Sequence, residues 1–110
     1  MTLLNLKVNH DQKSILLQQL VDTAFSTSEK YINLIAFTIK KEIKSSDPQT
    51  VIETYSDYIV SKIFESFSKE QILSYISSGF LFETRLLVID KLYNHEVVKE
   101  AIEYKEAVPV

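Results

Sequence analysis

One residue in 110 is glycine, and it stands at position 79 between two runs that suit a helix. Only two prolines accompany it. A chain so poor in turn-forming residues is badly equipped for the many hairpins of a sandwich or barrel, so helices are expected. The stretch from Ser68 to Tyr93 shows how they would be arranged. Ser68, with Gln71 three positions on, has capping-box spacing and can satisfy orphan N–H groups at a helix start. Ile72, Leu73, Tyr75 and Ile76 then form a short apolar stripe, interrupted by Ser77 and Ser78. Gly79 can adopt the left-handed conformation that ends a helix without a Cβ clash. The helix after it is apolar almost all round, which predicts a central, buried element.

That central helix carries an anomaly. At helical spacing Glu83, Thr84, Asp90, Lys91 and Asn94 share a polar arc, while Leu81, Val88, Ile89 and Leu92 lie opposite. Arg85 falls among the apolar group, where a guanidinium is costly unless a carboxylate or several carbonyls receive its donors. Two readings follow. Arg85 is a structural ion-pair partner of Glu53, Asp57, Glu65 or Glu70, or it is presented to a partner's carboxylate or phosphate.

Elsewhere the chain is divided by its caps. Residues 1–8 alternate Leu4, Leu6 and Val8 with polar neighbours, the period of a strand or of an extended arm over a bundle. Asn9 and Gln12 have capping spacing before Leu16, Leu17, Leu20, Val21, Ala24 and Phe25; the competing reading makes Ser14–Leu17 the second strand of a hairpin. Ser26 with Glu29 predicts another capping box, opening a helix over about 27–44 with an inner face of Tyr31, Ile32, Ile35, Ala36, Ile39 and Ile43. Asp47 before Pro48 is a strong start signal for a helix over 48–66, although its β-branched and aromatic content also fits a strand pair. Asn94 can end the central helix. Beyond it Val97, Val98, Ala101, Ile102 and Tyr104 are expected inward, with a tail over 107–110 that frays.

The outer side of the 27–44 helix gathers Lys30, Asn33, Leu34, Phe37, Lys40, Lys41 and Lys44. Lysines around apolar residues suit a partner-contacting or phosphate-contacting surface, and equally a solvated face with apolar residues tucked sideways. Charge is uneven: residues 1–47 sum to about +1 and residues 48–110 to about −4, within a net −3. The negative total argues against non-specific nucleic-acid binding. Zero cysteines exclude disulfides and thiol chemistry. His10 and His95 have no second ligand at a metal-binding spacing, one glycine cannot build a phosphate loop, and the serines lie at caps and turns. Neither catalysis nor a metal, cofactor or small-molecule substrate is expected. With no signal-like start and no membrane-length apolar run, a cytoplasmic protein is expected.

From Gly79 the chain reads GFLFETRLLVIDKLYNHE. This resembles a segment of phage Rha and KilA-N-type, antirepressor-associated regulatory proteins, carried here by Gly79, Phe80, Arg85, Val88, Ile89, Asp90, Lys91 and Glu96, with Ser68-Lys69-Glu70 as a similar polar lead-in. The resemblance implies a helix-turn-helix over Leu20–Ile43, with Lys30–Lys44 as its second helix and a hairpin wing after Ile52. The turn lacks the glycine usual in that family, Phe25 and Ser26 standing there, and Ser28 takes the usual histidine position. The expectation is therefore a mainly α, compact single domain of five or six helices over 1–110, containing a helix-turn-helix-like pair. Its function is expected to be non-catalytic regulation by protein–protein contact; the alternative is direct DNA binding through Lys30–Lys44. A homodimer suits both, since Leu34, Phe37, Phe64 and Leu87 lie on otherwise polar arcs.

Overall fold

A computed structural model describes residues 10–107, in which six helices follow one another with no strand among the described residues: α1 (His10–Thr27), α2 (Glu29–Ile43), α3 (Pro48–Phe64), α4 (Lys69–Ser77), α5 (Phe80–Asn94) and α6 (Glu96–Ala107). The local signals explain most of the boundaries. Asp47 accepts the Thr50 backbone N–H at 3.0 Å and the Thr50 hydroxyl at 2.9 Å, with Pro48 in the first turn of α3. Ser68 and Gln71 exchange the two bonds of a capping box at the start of α4. Gly79 takes φ 79°, and the chain turns there by 83° between α4 and α5.

Side-chain bridges give the directions. Lys13 meets Glu83 at 3.3 Å and Lys91 meets Asp22 at 2.7 Å, so α1 and α5 run parallel. Asn33 meets His95 at one end of α2 and α6, and Lys105 donates to the Ser46 carbonyl at the other, so these two are parallel as well. α3 returns antiparallel: Tyr58 faces Tyr31, Tyr55 donates to Glu42, and Asp57 reaches Arg85 of α5. The result is an elongated globule of 55 × 24 × 21 Å with α5 at its centre.

One apolar core runs through it. Leu17 and Val21 of α1, Ile39 and Ile43 of α2, Ile52 of α3, Val88 and Leu92 of α5 and Val98 of α6 are all shut off from solvent. Each such side chain contributes about 1.5–3 kcal/mol of transfer free energy. Phe64, Phe67, Tyr75 and Phe80 close one end as an aromatic cluster, with Tyr75 stacked on Phe80 at 4.6 Å and Phe64 edge-on to Tyr75 at 5.5 Å.

Several expectations are corrected. Ser14–Leu17 is helical, which removes the hairpin; the strand or arm over 1–8 lies outside the described residues. The region after Ile52 is helix rather than wing. The Ser26 capping box does not form, because α1 continues to Thr27, whose hydroxyl bonds back to the Thr23 carbonyl. Thr84 is buried rather than polar-facing, since its hydroxyl is satisfied by the Phe80 carbonyl at 3.0 Å of its own helix. Phe64 is buried in the aromatic cluster and Leu87 half-buried, so neither offers open surface for a dimer. Tyr31 and Tyr104, expected inward, are exposed.

Candidate interaction surfaces

The buried line of α2 is Ile32, Ile35, Ala36, Ile39 and Ile43, and it fixes what the other side presents. Lys30, Asn33, Leu34, Phe37, Lys41 and Lys44 are exposed there, while Lys40 is half-buried at the edge. Leu34 is 62% exposed and Phe37 54%. These are unusual values for large apolar side chains that are not isolated but stand within one turn of each other. Lys30 sits one turn before Leu34, Lys41 one turn after Phe37, and Lys44 beyond it, so an apolar pair is bracketed by cations.

Arg85 pairs as one of the two readings expects. Its Nε donates to Asp57 Oδ1 at 2.5 Å, joining α5 to α3. The setting differs from expectation: the side chains of Arg85 and Asp57 are 30% and 63% exposed, because the buried line of α5 is Phe80, Thr84, Val88 and Leu92 and Arg85 stands at its margin. The hydrogen bond it donates to Asp57 holds the guanidinium pKa above its ordinary value. Of the four proposed carboxylates, Glu53 adds only a longer-range attraction.

Three concavities flank these faces. A cleft of about 740 Å³ between α1 and α3 is lined by Leu16, Leu20, Ala24, Ile63 and Phe67, with Tyr31 at its rim donating to Tyr58. That bond pushes the Tyr31 hydroxyl up to about 12. A second hollow, about 750 Å³, lies between α3 and the elbow of α4 and α5, beside Arg85, Ile76 and Phe82. The third sits where α1 gives way to α2 and α5 to α6, and is more polar. There the Lys91 hydrogen bond lowers the Asp22 carboxyl below its usual value, and His95 Nε2 contacts Asn33 Oδ1 at 3.0 Å. The His10 side chain lies outside the described residues. Among the described residues no three His, Asp or Glu side chains converge on a metal-sized site.

The sequence reading missed one surface. Leu73 and Ile76 of α4 and Phe82 and Leu86 of α5 are all exposed, on the two arms that meet at Gly79. The signal was present: a helix apolar all round must leave some of that apolar surface open unless neighbours surround it, and along α5 the side chains of Phe82, Leu86 and Asp90 are exposed. Among the described residues no single helix is long and apolar enough to cross a membrane; α4 and α5 reach that length and apolarity only together, and only with their 83° bend.

No family model, curated protein or solved structure matches the chain. What can be read of its function therefore rests on these surfaces.

Proposed function

We propose that this chain is a small, non-catalytic regulatory protein of the cytoplasm that acts by protein–protein contact through the outer face of α2. The observation that carries this reading is the exposed pair Leu34 and Phe37 set between Lys30, Lys41 and Lys44. An apolar centre with a charged rim is the composition of a protein contact, in which the centre supplies most of the affinity and the rim sets orientation. The partner's matching surface is an apolar patch ringed by carboxylates. The similarity of residues 79–96 to Rha and KilA-N-type proteins supports a place among phage-like or bacterial regulators.

Direct DNA binding uses the same lysines less well. Two large exposed residues of the stripe, Leu34 and Phe37, are apolar where a phosphate-tracking helix needs donors, and Lys40 is half-buried. A helix-turn-helix over Leu20–Ile43 also needs a turn of three or four residues, whereas Ser28 alone separates α1 from α2. The test compares Leu34→Asp and Phe37→Asp with the parent in affinity capture from the native host, alongside duplex retention at low and high salt. The reading expects a partner that is lost in both variants while their melting is unchanged. Salt-sensitive retention on a duplex, abolished by Lys41→Glu and Lys44→Glu, would reverse the ranking.

A further inference from the structure

We infer that the cleft between α1 and α3 is a binding site for an amphipathic monocarboxylate, an alkyl chain that ends in a carboxylate. The cleft measures about 740 Å³, within the roughly 300–1,000 Å³ of small-molecule sites. Its two long walls are made alike. Leu16, Leu20 and Ala24 recur at every fourth residue of α1, and Ile59, Ile63 and, just past the helix end, Phe67 do the same on the α3 side. Ile59 is buried and the other five are half-buried. Beside each apolar line runs a polar one at the same interval, Gln19, Thr23 and Thr27 on one side and Tyr58, Lys62 and Ser66 on the other, all exposed. The cleft is therefore a trough, apolar at its floor and polar at both lips. From Leu16 to Thr27 it follows α1 for about 16 Å, at 1.5 Å per residue. An alkyl chain laid along it keeps its methylenes on the two apolar lines and out of water.

The head group follows from charge. Among the described residues that line the cleft, Lys62 is the one charged side chain. Its Nζ stands 5.5 Å from the centre of the Tyr58 ring, so the ammonium and the phenol are neighbours on one lip. Tyr58 accepts the Tyr31 proton, and among the described residues nothing accepts its own. Two adjacent donors with no acid beside them in the lining match an acceptor that carries negative charge.

Glu65 does not line the cleft, and it holds Lys62 loosely, at 3.6 Å with the two side chains 69% and 50% exposed. Tyr58 and Lys62 also line the hollow beside Arg85, whose volume is similar at about 750 Å³. Asp57 and Glu65 stand in that lining and repel a carboxylate, so charge separates two cavities that size does not. Leu34 and Phe37 line neither, which makes the site distinct from the outer face of α2.

Equilibrium dialysis of the full chain against labelled decanoate, decanol and decylammonium decides the matter. The parent is expected to take up one decanoate per chain, about tenfold more tightly than decanol, which has the same tail without the charge. Ala24→Trp, which fills the trough, should abolish uptake with helicity unchanged. Lys62→Glu lies on an exposed lip and should reverse the order, so that decylammonium binds more tightly than decanoate. No uptake by the parent up to about 1 mM would overturn the inference. So would equal affinity for decanoate and decanol, a Lys62→Glu chain that still prefers decanoate, or uptake of several molecules per chain that survives Ala24→Trp. Decanoate uptake that appears only after Leu4→Asp with Leu6→Asp would overturn it as well, by giving the cleft to residues 1–9 of the chain itself.

Discussion

Arg85 shows how far one residue's energetics depend on a few tens of degrees around a helix. Placed in the middle of an apolar face, its loss would strand a buried carboxylate and cost about 3–5 kcal/mol. At the margin, with Asp57 63% exposed, water solvates the carboxylate whether or not the guanidinium is there. Arg85→Ala is therefore expected to lower the unfolding free energy by about 1 kcal/mol or less, measured by urea titration near neutral pH. A loss above about 3 kcal/mol would mean the pair is closed to water. The helical wheel misjudged the angle because of Thr84. A threonine reads as polar, yet inside a helix its hydroxyl can bond the carbonyl four residues back, as Thr84 does to Phe80, and its methyl then packs inward. Sequence alone does not say which of the two behaviours a threonine adopts.

At the scale of elements, the boundaries that the sequence revealed are those made by chemistry within a few residues. Asp47 with Pro48, Ser68 with Gln71 and Gly79 each act on neighbouring backbone, so their spacing carries the information. The break between α1 and α2 does not work this way. Ser28 makes no side-chain cap bond, and the break falls where the packing partner changes, α1 lying on α5 and α2 on α6. Nothing local marks it, and the capping pattern at Ser26 misled. Gly79 gives a clean test of a local cap. A Cβ built there would meet only Lys13 Nζ at 3.8 Å, so space is available and the conformational term stands alone. Gly79→Ala should destabilise by about 1–2 kcal/mol, the usual cost of a left-handed conformation for a residue with a side chain. Gly79→Asn should cost less, because asparagine tolerates that region. Equal melting temperatures for parent and Ala variant would show that the elbow can shift its dihedrals freely.

Over the whole molecule, the tyrosines set an alkaline limit to stability. Four have hydroxyls held above their ordinary value: Tyr31 by donating to Tyr58, Tyr55 by burial and its bond to Glu42, Tyr75 by burial, and Tyr93 by burial with Glu53 and Asp47 nearby. They are spread over α2, α3, α4 and α5, so their ionisation opposes the packing of most of the bundle. The sign follows from proton counting. Between the unfolded value of about 10 and the higher folded values, the native chain holds more protons than the unfolded one. Stability contributed by these groups is then fully present below about pH 10 and is lost as pH rises through the folded values, reaching about 12 for Tyr31. Urea midpoints should therefore be level through mildly alkaline pH and fall from about pH 10 upward. Tyr58→Phe separates the largest single contribution, because it removes the oxygen that accepts the Tyr31 proton and leaves the ring in place. In that variant the tyrosinate absorbance should develop earlier by one residue's share, with Tyr31 returning toward about 10. An unchanged titration curve would show that Tyr31 does not donate to Tyr58 in solution, and that α2 and α3 are held together at this point by ring contact alone.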